Sequence, residues 1–375
     1  MLRNIGTGHI NRVTLLSILS YNEYMENNLK KYGWNDDWQK IWNSHNLPID
    51  YIPARVVADY GSSIQVVADD AAYLASTGGK MTYELKDSQL PKVGDWVAIS
   101  LHNKDAIIHL VLERSSYLAR RSAGHKNEEQ IMATNIDLAL VVQSMDDDLN
   151  INRLKRYLFQ LGRSNIETII VINKIDKNPD WQSKISEISY AIPNIDVIAM
   201  QATDQQSINK LESRIPAGAS VVIVGSSGVG KSTITNDLLG FEKQKTQEVR
   251  LDDSKGRHTT THREMFVLPN GALLIDTPGI REIQLWATLD EIENIDENIT
   301  ELARHCKYSN CSHGEEPGCN VIKAIRDGAL NREDLDSFNR IRLELEVLNA
   351  KLDPRDKYSH KRKNINETIE DDYFQ

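Results

Sequence analysis

Three short motifs occur in an order that restricts the possible fold more than any other property of this chain. Asn173-Lys174-Ile175-Asp176 comes first, Gly225-Ser226-Ser227-Gly228-Val229-Gly230-Lys231-Ser232 second, and Asp276-Thr277-Pro278-Gly279 third. The second has the G-x-x-x-x-G-K-S spacing of a loop that wraps phosphates. Its glycines let backbone N–H groups converge on a β-phosphate, and a helix beginning at Lys231 adds the positive end of its dipole. Lys231 is expected to bridge the β- and γ-phosphates, Ser232 to ligate Mg²⁺, and Thr233 to lie near the α-phosphate. The loop lies between the apolar run Val221-Val222-Ile223-Val224 and the helix-compatible Lys231 to Leu239, the context such a loop needs. The competing reading is a purely structural glycine turn.

Asn173-Lys174-Ile175-Asp176 has the chemistry of a guanine reader. A carboxylate such as that of Asp176 accepts two hydrogens at once, from the N1 and N2 side of guanine, a pair that adenine does not present. Asn173 is expected to hold the base edge and the loop, with the stem of Lys174 along the ring face and Ile175 between. A companion backbone loop is expected near Gln201-Ala202-Thr203, although serine is more common where Gln201 stands. Asp276 and Gly279 fit a Mg²⁺ and γ-phosphate switch. Between the second and third motifs, Gly256-Arg257-His258-Thr259-Thr260-Thr261 offers threonine hydroxyls that can complete the Mg²⁺ shell. The sequence leaves open which of Thr259, Thr260 and Thr261 does so. Ile280 occupies the place where many GTPases carry a water-positioning glutamine. His258 is therefore the candidate catalytic group beside Lys231 and Ser232, the alternative being a loop histidine that faces solvent or RNA.

In an ordinary small GTPase the phosphate loop precedes the guanine motif. The order here is a rotation of that arrangement, so a circularly permuted GTPase domain is expected. The apolar runs Leu138 to Val142, Thr168 to Ile172, Val197 to Ala199, Val221 to Val224 and Ala272 to Ile275 read as buried strands. Helix-compatible segments such as Asn152 to Gly162 lie between several of them, the alternation of a parallel sheet covered by helices. Three of the runs end immediately before a motif, and ligands in such sheets bind at the carboxyl ends of strands.

With 375 residues, 40% hydrophobic and 26% charged, the chain has material for two or three domains. Leu15 to Trp42 reads as a helical extension of unassigned function. From Tyr51 the texture becomes short β runs, Ala54 to Ala58, Ser63 to Val67, Asp95 to Ile99 and Ala106 to Val111, divided by Gly61, Gly78-Gly79, Pro91 and Gly94. An OB-fold barrel is expected there, with a generic β-sandwich as the alternative. Met1 to Tyr21 contains no signal-peptide stretch, and no segment is apolar enough to span a bilayer, so a cytoplasmic protein without a membrane partner is expected. The net charge of −10 argues against a surface that binds nucleic acid everywhere but leaves room for local basic patches.

All three cysteines lie in Cys306-x4-Cys311-x-His313-x5-Cys319. Three thiolates and an imidazole make a closed tetrahedral zinc set with no open position for catalysis. The spacing favours His313 over His305, and so short an excursion is expected to depend on the metal rather than on a core of its own. Helical segments are expected over Asn320 to Asp327 and Glu333 to Asn349. A basic tail of Arg355, Lys357, Lys361, Arg362 and Lys363 follows, either solvated or an RNA contact.

Together these features resemble the ribosome small-subunit-dependent GTPase A proteins of bacteria. The carriers are the permuted order, Gly225 to Ser232, Gly256 to Thr261, Asp276 to Gly279 and the zinc motif ending in Glu316-Pro317-Gly318-Cys319. Gly94-Asp95-Trp96-Val97 and Asn135-Ile136-Asp137 add to them. The resemblance covers roughly residues 50 to 350. It implies a multidomain α/β protein: an OB-fold β-barrel (50–114), a circularly permuted P-loop GTPase domain (115–285) and a small zinc-binding helical C-terminal domain (286–375), after the extension 1–49. It also implies a GTPase that is stimulated by the small ribosomal subunit and acts late in that subunit's maturation; use of Mg²⁺ with GTP, binding to ribosomal RNA and a monomeric state are further expectations. The residues themselves leave two alternatives open: a GTP-dependent RNA-binding module that does not hydrolyse, and an ATP-using P-loop enzyme.

Overall fold

Tyr32, Trp34, Trp38 and Trp42 need a covered surface, and Trp96 helps to supply it. Asn35 caps helix α1 (Asp36–Ser44), its side chain accepting from the N–H groups of Asp37 and Trp38, with Asp36 and Asp37 in the first turn where the dipole favours them. Of the helical extension expected over Leu15 to Trp42, Leu15 to Asn28 lie outside the described residues; among the described ones the helix begins at the Asn35 cap, after Gly33. Trp34 meets Trp96 edge-on at a 4.7 Å centroid distance. Trp34, Trp38 and Leu29 bury themselves with Trp96 and Leu112 in one apolar cluster. The computed structural model describes residues 29–61, 63–68, 71–79, 81, 85–103, 105–121, 129–146, 149–240, 263–276, 297–308, 311–314, 316–332, 334–336, 338–340 and 342–343.

Trp96 begins one strand of a closed barrel. Strands β1 (Ile52–Asp59), β2 (Ile64–Ala68) and β3 (Ala71–Thr77) form an antiparallel meander. Strand β4 (Trp96–His102) pairs with β5 (Asp105–Val111), β5 runs parallel to β3, and β4 closes on β1 through Ile52↔Ile99 to Arg55↔Trp96. The circuit β1-β2-β3-β5-β4-β1 is that of a five-stranded OB barrel, as expected.

The register of β1 shifts between Val56 and Ala58. Such an irregularity bends a strand out of its ladder. Beyond it, Ala58 and Asp59 pair with Glu264 and Arg263 instead of β4, and Arg263 forms an ion pair with Asp59 at 3.1 Å. The barrel and the second sheet are thereby continuous. Strands β6 (Tyr117–Arg121) and β7 (Glu129–Thr134) make a separate two-stranded sheet.

Leu138 to Val142 and Val221-Val222 are apolar at every position, which requires cover on both faces. They lie in β8 (Leu138–Ser144) and β11 (Ser220–Gly225), with β9 (Glu167–Asn173), β10 (Asp196–Ala199), β12 (Arg263–Val267) and β13 (Leu273–Asp276) beside them. The order is β10-β9-β8-β11-β13-β12, all parallel except β12. Helices α2 (Ile151–Gly162), α3 (Trp181–Ala191), α4 (Gln205–Glu212) and α5 (Lys231–Leu239) connect the strands. Ile208 and Leu211 of α4 and Ile234, Leu238 and Leu239 of α5 pack with Leu140, Val142 and Val221 in the main core.

The chain divides into two compact units. One comprises residues 1–119, 131–151 and 161–283 and so holds both the barrel and the large sheet; the other comprises 120–130, 152–160 and 284–375. The second unit contains α6 (Glu297–Arg304) and α7 (Asn320–Arg326), with a small core of Ile299, Val321, Ile322, Leu335 and Phe338. This core differs from the expectation that the cysteine-rich excursion would have none: Cys306 just after α6 and Cys311 in the following loop pack against it, and Cys319, the cap of α7, is buried in it.

Candidate functional site

The parallel order brings the three motifs to one edge of the sheet. Asn173 ends β9, Gly225 ends β11 and Asp276 ends β13, all at carboxyl termini. Gly225 pairs with Val142, and a Cβ on Gly225 would lie 2.1 Å from the Val142 carbonyl oxygen, at a backbone φ of +144°. Only glycine lets β11 turn so close to β8. The chain then curls through Ser226 to Gly230 and enters α5 at Lys231. The opening amides of a helix have no partners inside it, so α5 supplies N–H donors toward the concave side of this loop. Lys231 folds back over the loop, its ammonium donating to the carbonyls of Gly225 at 2.8 Å and of Ser226. Ser232 follows, half-buried, and Thr233 is exposed.

Asn173 is buried, with 2% of its surface exposed. Its Nδ2 donates to the Val229 carbonyl at 2.9 Å, and its Oδ1 accepts from the Ala202 N–H at 2.9 Å. The base-side motif, the phosphate loop and the expected companion loop are therefore tied together by one side chain. Asn173 was expected to hold the base edge and the loop, and its amide is engaged with the two neighbouring loops. Lys174 adopts the left-handed conformation, φ 57° and ψ 41°, and Ile175 to Lys177 form one turn of 3₁₀ helix with Asp176 exposed. Gln201 has its side-chain amide on the Thr203 hydroxyl at 2.9 Å.

One participant was missed. The Lys174 ammonium meets the Asp146 carboxylate at 3.3 Å, and Asp146 in turn accepts from the Ser144 hydroxyl at 2.6 Å. Asp146 follows the end of β8, between the two motif-bearing strands, and that position was the available signal. His258, Thr259, Thr260, Thr261, Thr277, Pro278 and Gly279 lie outside the described residues; Asp276 is half-buried at the end of β13.

The candidate metal centre belongs to the second unit. The ligand atoms of Cys306, Cys311, His313 and Cys319 all lie within 4.8 Å of one another. The Cys306 and Cys319 sulfurs are 3.9 Å apart, and His313 Nδ1 is 3.7 and 3.6 Å from them. Thiolates about 2.3 Å from a tetrahedral zinc stand about 3.8 Å from each other, so the set fits that ion. Cys319 caps α7, its sulfur accepting from the Ile322 N–H at 3.4 Å, while Cys306 accepts from the Asn320 N–H at 3.3 Å. Such donors favour thiolates. Burial, with the Arg342 charge adding to it, lowers the pKa of the His313 imidazole and keeps it in the neutral form that ligates. The Glu316 carboxylate accepts from Ser312 and from the Gly314 N–H, which closes the knuckle and holds its pKa down to about 2. His305 is exposed and faces Glu301, consistent with the choice of His313.

A parallel sheet whose carboxyl edge carries these motifs in rotated order, continuous with an OB barrel, defines a circularly permuted GTPase. The family model for the RsgA GTPase matches residues 111–286. The small ribosomal subunit biogenesis GTPase RsgA of Methanosarcina acetivorans is 36% identical over 89% of this chain and 89% of its own length. The chain belongs to the RsgA family of GTPases and is a GTP-hydrolysing enzyme. RsgA 2 of Vibrio vulnificus is 38% identical over 84% of this chain and 86% of its own. A second model, described as a 50S ribosome-binding GTPase, matches residues 220–370 and so excludes Asn173 to Asp176. In fold, the chain is similar to the crystal structure of YjeQ from Thermotoga maritima (TM-score 0.59, 21% identity, 79% of this chain and 98% of that one). It is likewise similar to YloQ, described as a circularly permuted GTPase (TM-score 0.58, 22% identity, 80% and 97%). Membership in a family of GTPases sets aside the ATP-using alternative and favours hydrolysis over a module without turnover.

Proposed function

We propose that this GTPase is a nucleotide-gated switch in late maturation of the small ribosomal subunit, binding its ribosomal RNA and stimulated by the subunit. The observation that carries the reading is the Asn173–Val229 hydrogen bond, which joins a guanine-side motif to a phosphate loop in one wall. The partner comes from the relatives named for small ribosomal subunit biogenesis, which extend over 89% of the chain. The description that mentions the 50S subunit belongs to a model matched over the phosphate-loop half alone and carries less weight.

In this reading Asp176 accepts from guanine, Lys174 lies along the ring with Asp146 steadying its ammonium, and Ala202 approaches the base from the companion loop. Ser226 to Thr233 hold the phosphates, with Lys231 swinging from the loop carbonyls to the β- and γ-phosphates. Ser232 and Asp276, at the head of α5 and the end of β13, would hold Mg²⁺, which neutralises charge on the phosphates. A threonine among Thr259 to Thr261 and the backbone at Gly279 sense the γ-phosphate. His258 positions the attacking water, so His258→Ala is expected to slow turnover while sparing GTP affinity; normal stimulated turnover would remove the role.

The functional divisions are the extension 1–49, the barrel 50–114, the permuted GTPase domain 115–285 and the zinc-bearing region 286–375. Zinc is structural, and the protein works as a cytoplasmic monomer. GTP and the subunit favour the same state, so each tightens the other's binding by the same factor. Co-sedimentation with purified small subunits tests this: retention is expected with a non-hydrolysable GTP analogue and Mg²⁺ and loss with GDP. Equal retention in both states would contradict the switch.

A further inference from the structure

At the opposite, amino-terminal edge of the large sheet lies a cavity of about 220 Å³. It is bounded by Gly33 and Asn35 ahead of α1, by Arg55 of β1, and by Asn135, Asp137 and Ser220 at the starts of β8 and β11. Ser220 and Gly225 are the two ends of β11, so the cavity stands about 17 Å from the phosphate loop at a rise of about 3.3 Å per residue.

Arg55 is the unusual member. It has 1% of its surface exposed, and its guanidinium lies 4.7 Å from the centroid of the Trp96 ring. Nη2 donates to the Ser220 hydroxyl at 3.0 Å and to the Asn135 carbonyl at 3.3 Å. Nε is buried without a partner, and Nη1 makes no hydrogen bond among the described residues. The two carboxylates whose charge it senses are engaged elsewhere. Asp95 is held at both oxygens by Arg114, each at 2.8 Å, and Asp137 accepts from the Ser220 N–H at 2.7 Å. Burial lowers the Arg55 pKa to about 10, against the smaller opposing effects of Asp137 and Asp95. A buried cation without an ion-pair partner is costly to keep, and a guanidinium edge is matched by two oxygens of a planar or tetrahedral anion.

We propose that this cavity is a binding site for a small tetrahedral oxyanion, held by the Nη1 edge of Arg55, the Ser220 hydroxyl and the side-chain N–H₂ of Asn35. The Ser220 oxygen already accepts from Arg55, which leaves its own hydrogen to donate. Asn35 has its Oδ1 taken by the α1 cap, which leaves its nitrogen as the donor. Asp137 opposes the anion and limits its affinity. The site differs from the nucleotide loop in position and in its donors, and it joins β1 of the barrel to the first residue of the strand that ends in that loop.

The test is calorimetric titration of the full chain with inorganic phosphate at low ionic strength, after saturation with GDP and Mg²⁺ so that the glycine loop is occupied. One phosphate per chain is expected, with a rise in the thermal midpoint. Arg55→Met is expected to weaken phosphate by about tenfold or more. Asp137→Asn keeps an acceptor for the Ser220 N–H and removes the opposing charge, so it is expected to tighten phosphate by at least about twofold. The opposite signs separate a site from general damage. Absence of phosphate binding to the GDP-saturated protein would overturn the proposal. So would an Asp137→Asn protein that binds phosphate no more tightly, and this second variant decides the matter if Arg55→Met does not fold.

Discussion

Asn173 at the end of β9 donates to the Val229 carbonyl in the loop after β11, 2.9 Å away, while accepting from Ala202. One buried amide thus fixes the distance between the place for a base and the place for its phosphates. Removing it leaves a buried carbonyl and a buried N–H without partners, each costing about 1–3 kcal/mol. Asn173→Ala is therefore expected to weaken GDP and GTP alike by about tenfold or more, measured by titration with a fluorescent guanine nucleotide. Unchanged affinity would mean that the three loops hold their places without it.

Gly230 and Gly228 are both left-handed, yet their surroundings differ. A Cβ on Gly230 would lie 2.2 Å from Asn173 Nδ2, whereas a Cβ on Gly228 meets nothing within 4 Å. Both alanine substitutions carry a backbone penalty of roughly 1–2 kcal/mol, but only Gly230→Ala must also displace Asn173. Its guanine-nucleotide affinity is expected to fall at least about tenfold below that of Gly228→Ala. Equal losses in the same titration would contradict the proximity argument.

Asp176 is exposed on the turn that follows Asn173. Asp176→Asn replaces an acceptor pair by one donor and one acceptor, which suits xanthine with its added carbonyl. Competition between GDP and xanthosine diphosphate is expected to show a preference shifted by about tenfold or more toward xanthine. Unaltered GDP preference would remove Asp176 from the base site.

The cysteine cluster gives a separable expectation. Metal analysis should find one zinc per chain, and X-ray absorption should give Zn–S distances of about 2.3 Å. Cys311→Ser is expected to loosen the core around Ile299 and Phe338, lowering protection from hydrogen exchange there by about tenfold or more. Nucleotide affinity at the phosphate loop should change less than about twofold, since the metal ligands and the loop belong to different compact units. A purified protein without zinc would sink the site.

Much of this organisation was legible because unbroken apolar runs and glycine patterns have few structural solutions. Leu138 to Val142 and Val221 to Val224 proved to be the centre of the parallel sheet, and the motifs that follow such runs fell on one edge. Strand β3 was missed because Ala71-Ala72-Tyr73-Leu74-Ala75 is alanine-rich and leaves Leu74 55% exposed, so its place depends on pairing rather than propensity. Strand β12 was missed for a related reason: Arg263 and Glu264 sit in it because β1 and β13 flank them on either side. The Asp146–Lys174 pair joins residues 28 positions apart, and no local pattern announces it. The loop-holding role of Asn173 was expected, but its partners Val229 and Ala202, 56 and 29 positions away, were not. The metal set could be read from spacing alone, but the helices that support it could not, because Leu335 and Phe338 reach the cysteines only through the tertiary fold.

The central claim is tested most directly by multiple-turnover GTP hydrolysis with and without purified small ribosomal subunits, under identical salt and Mg²⁺. Turnover is expected to rise by about tenfold or more when subunits are added, on the order of what one well-placed catalytic group supplies. Lys231→Ala protein should show neither basal nor stimulated hydrolysis. A rate that small subunits leave unchanged, in wild-type protein that binds GTP normally, would contradict the account.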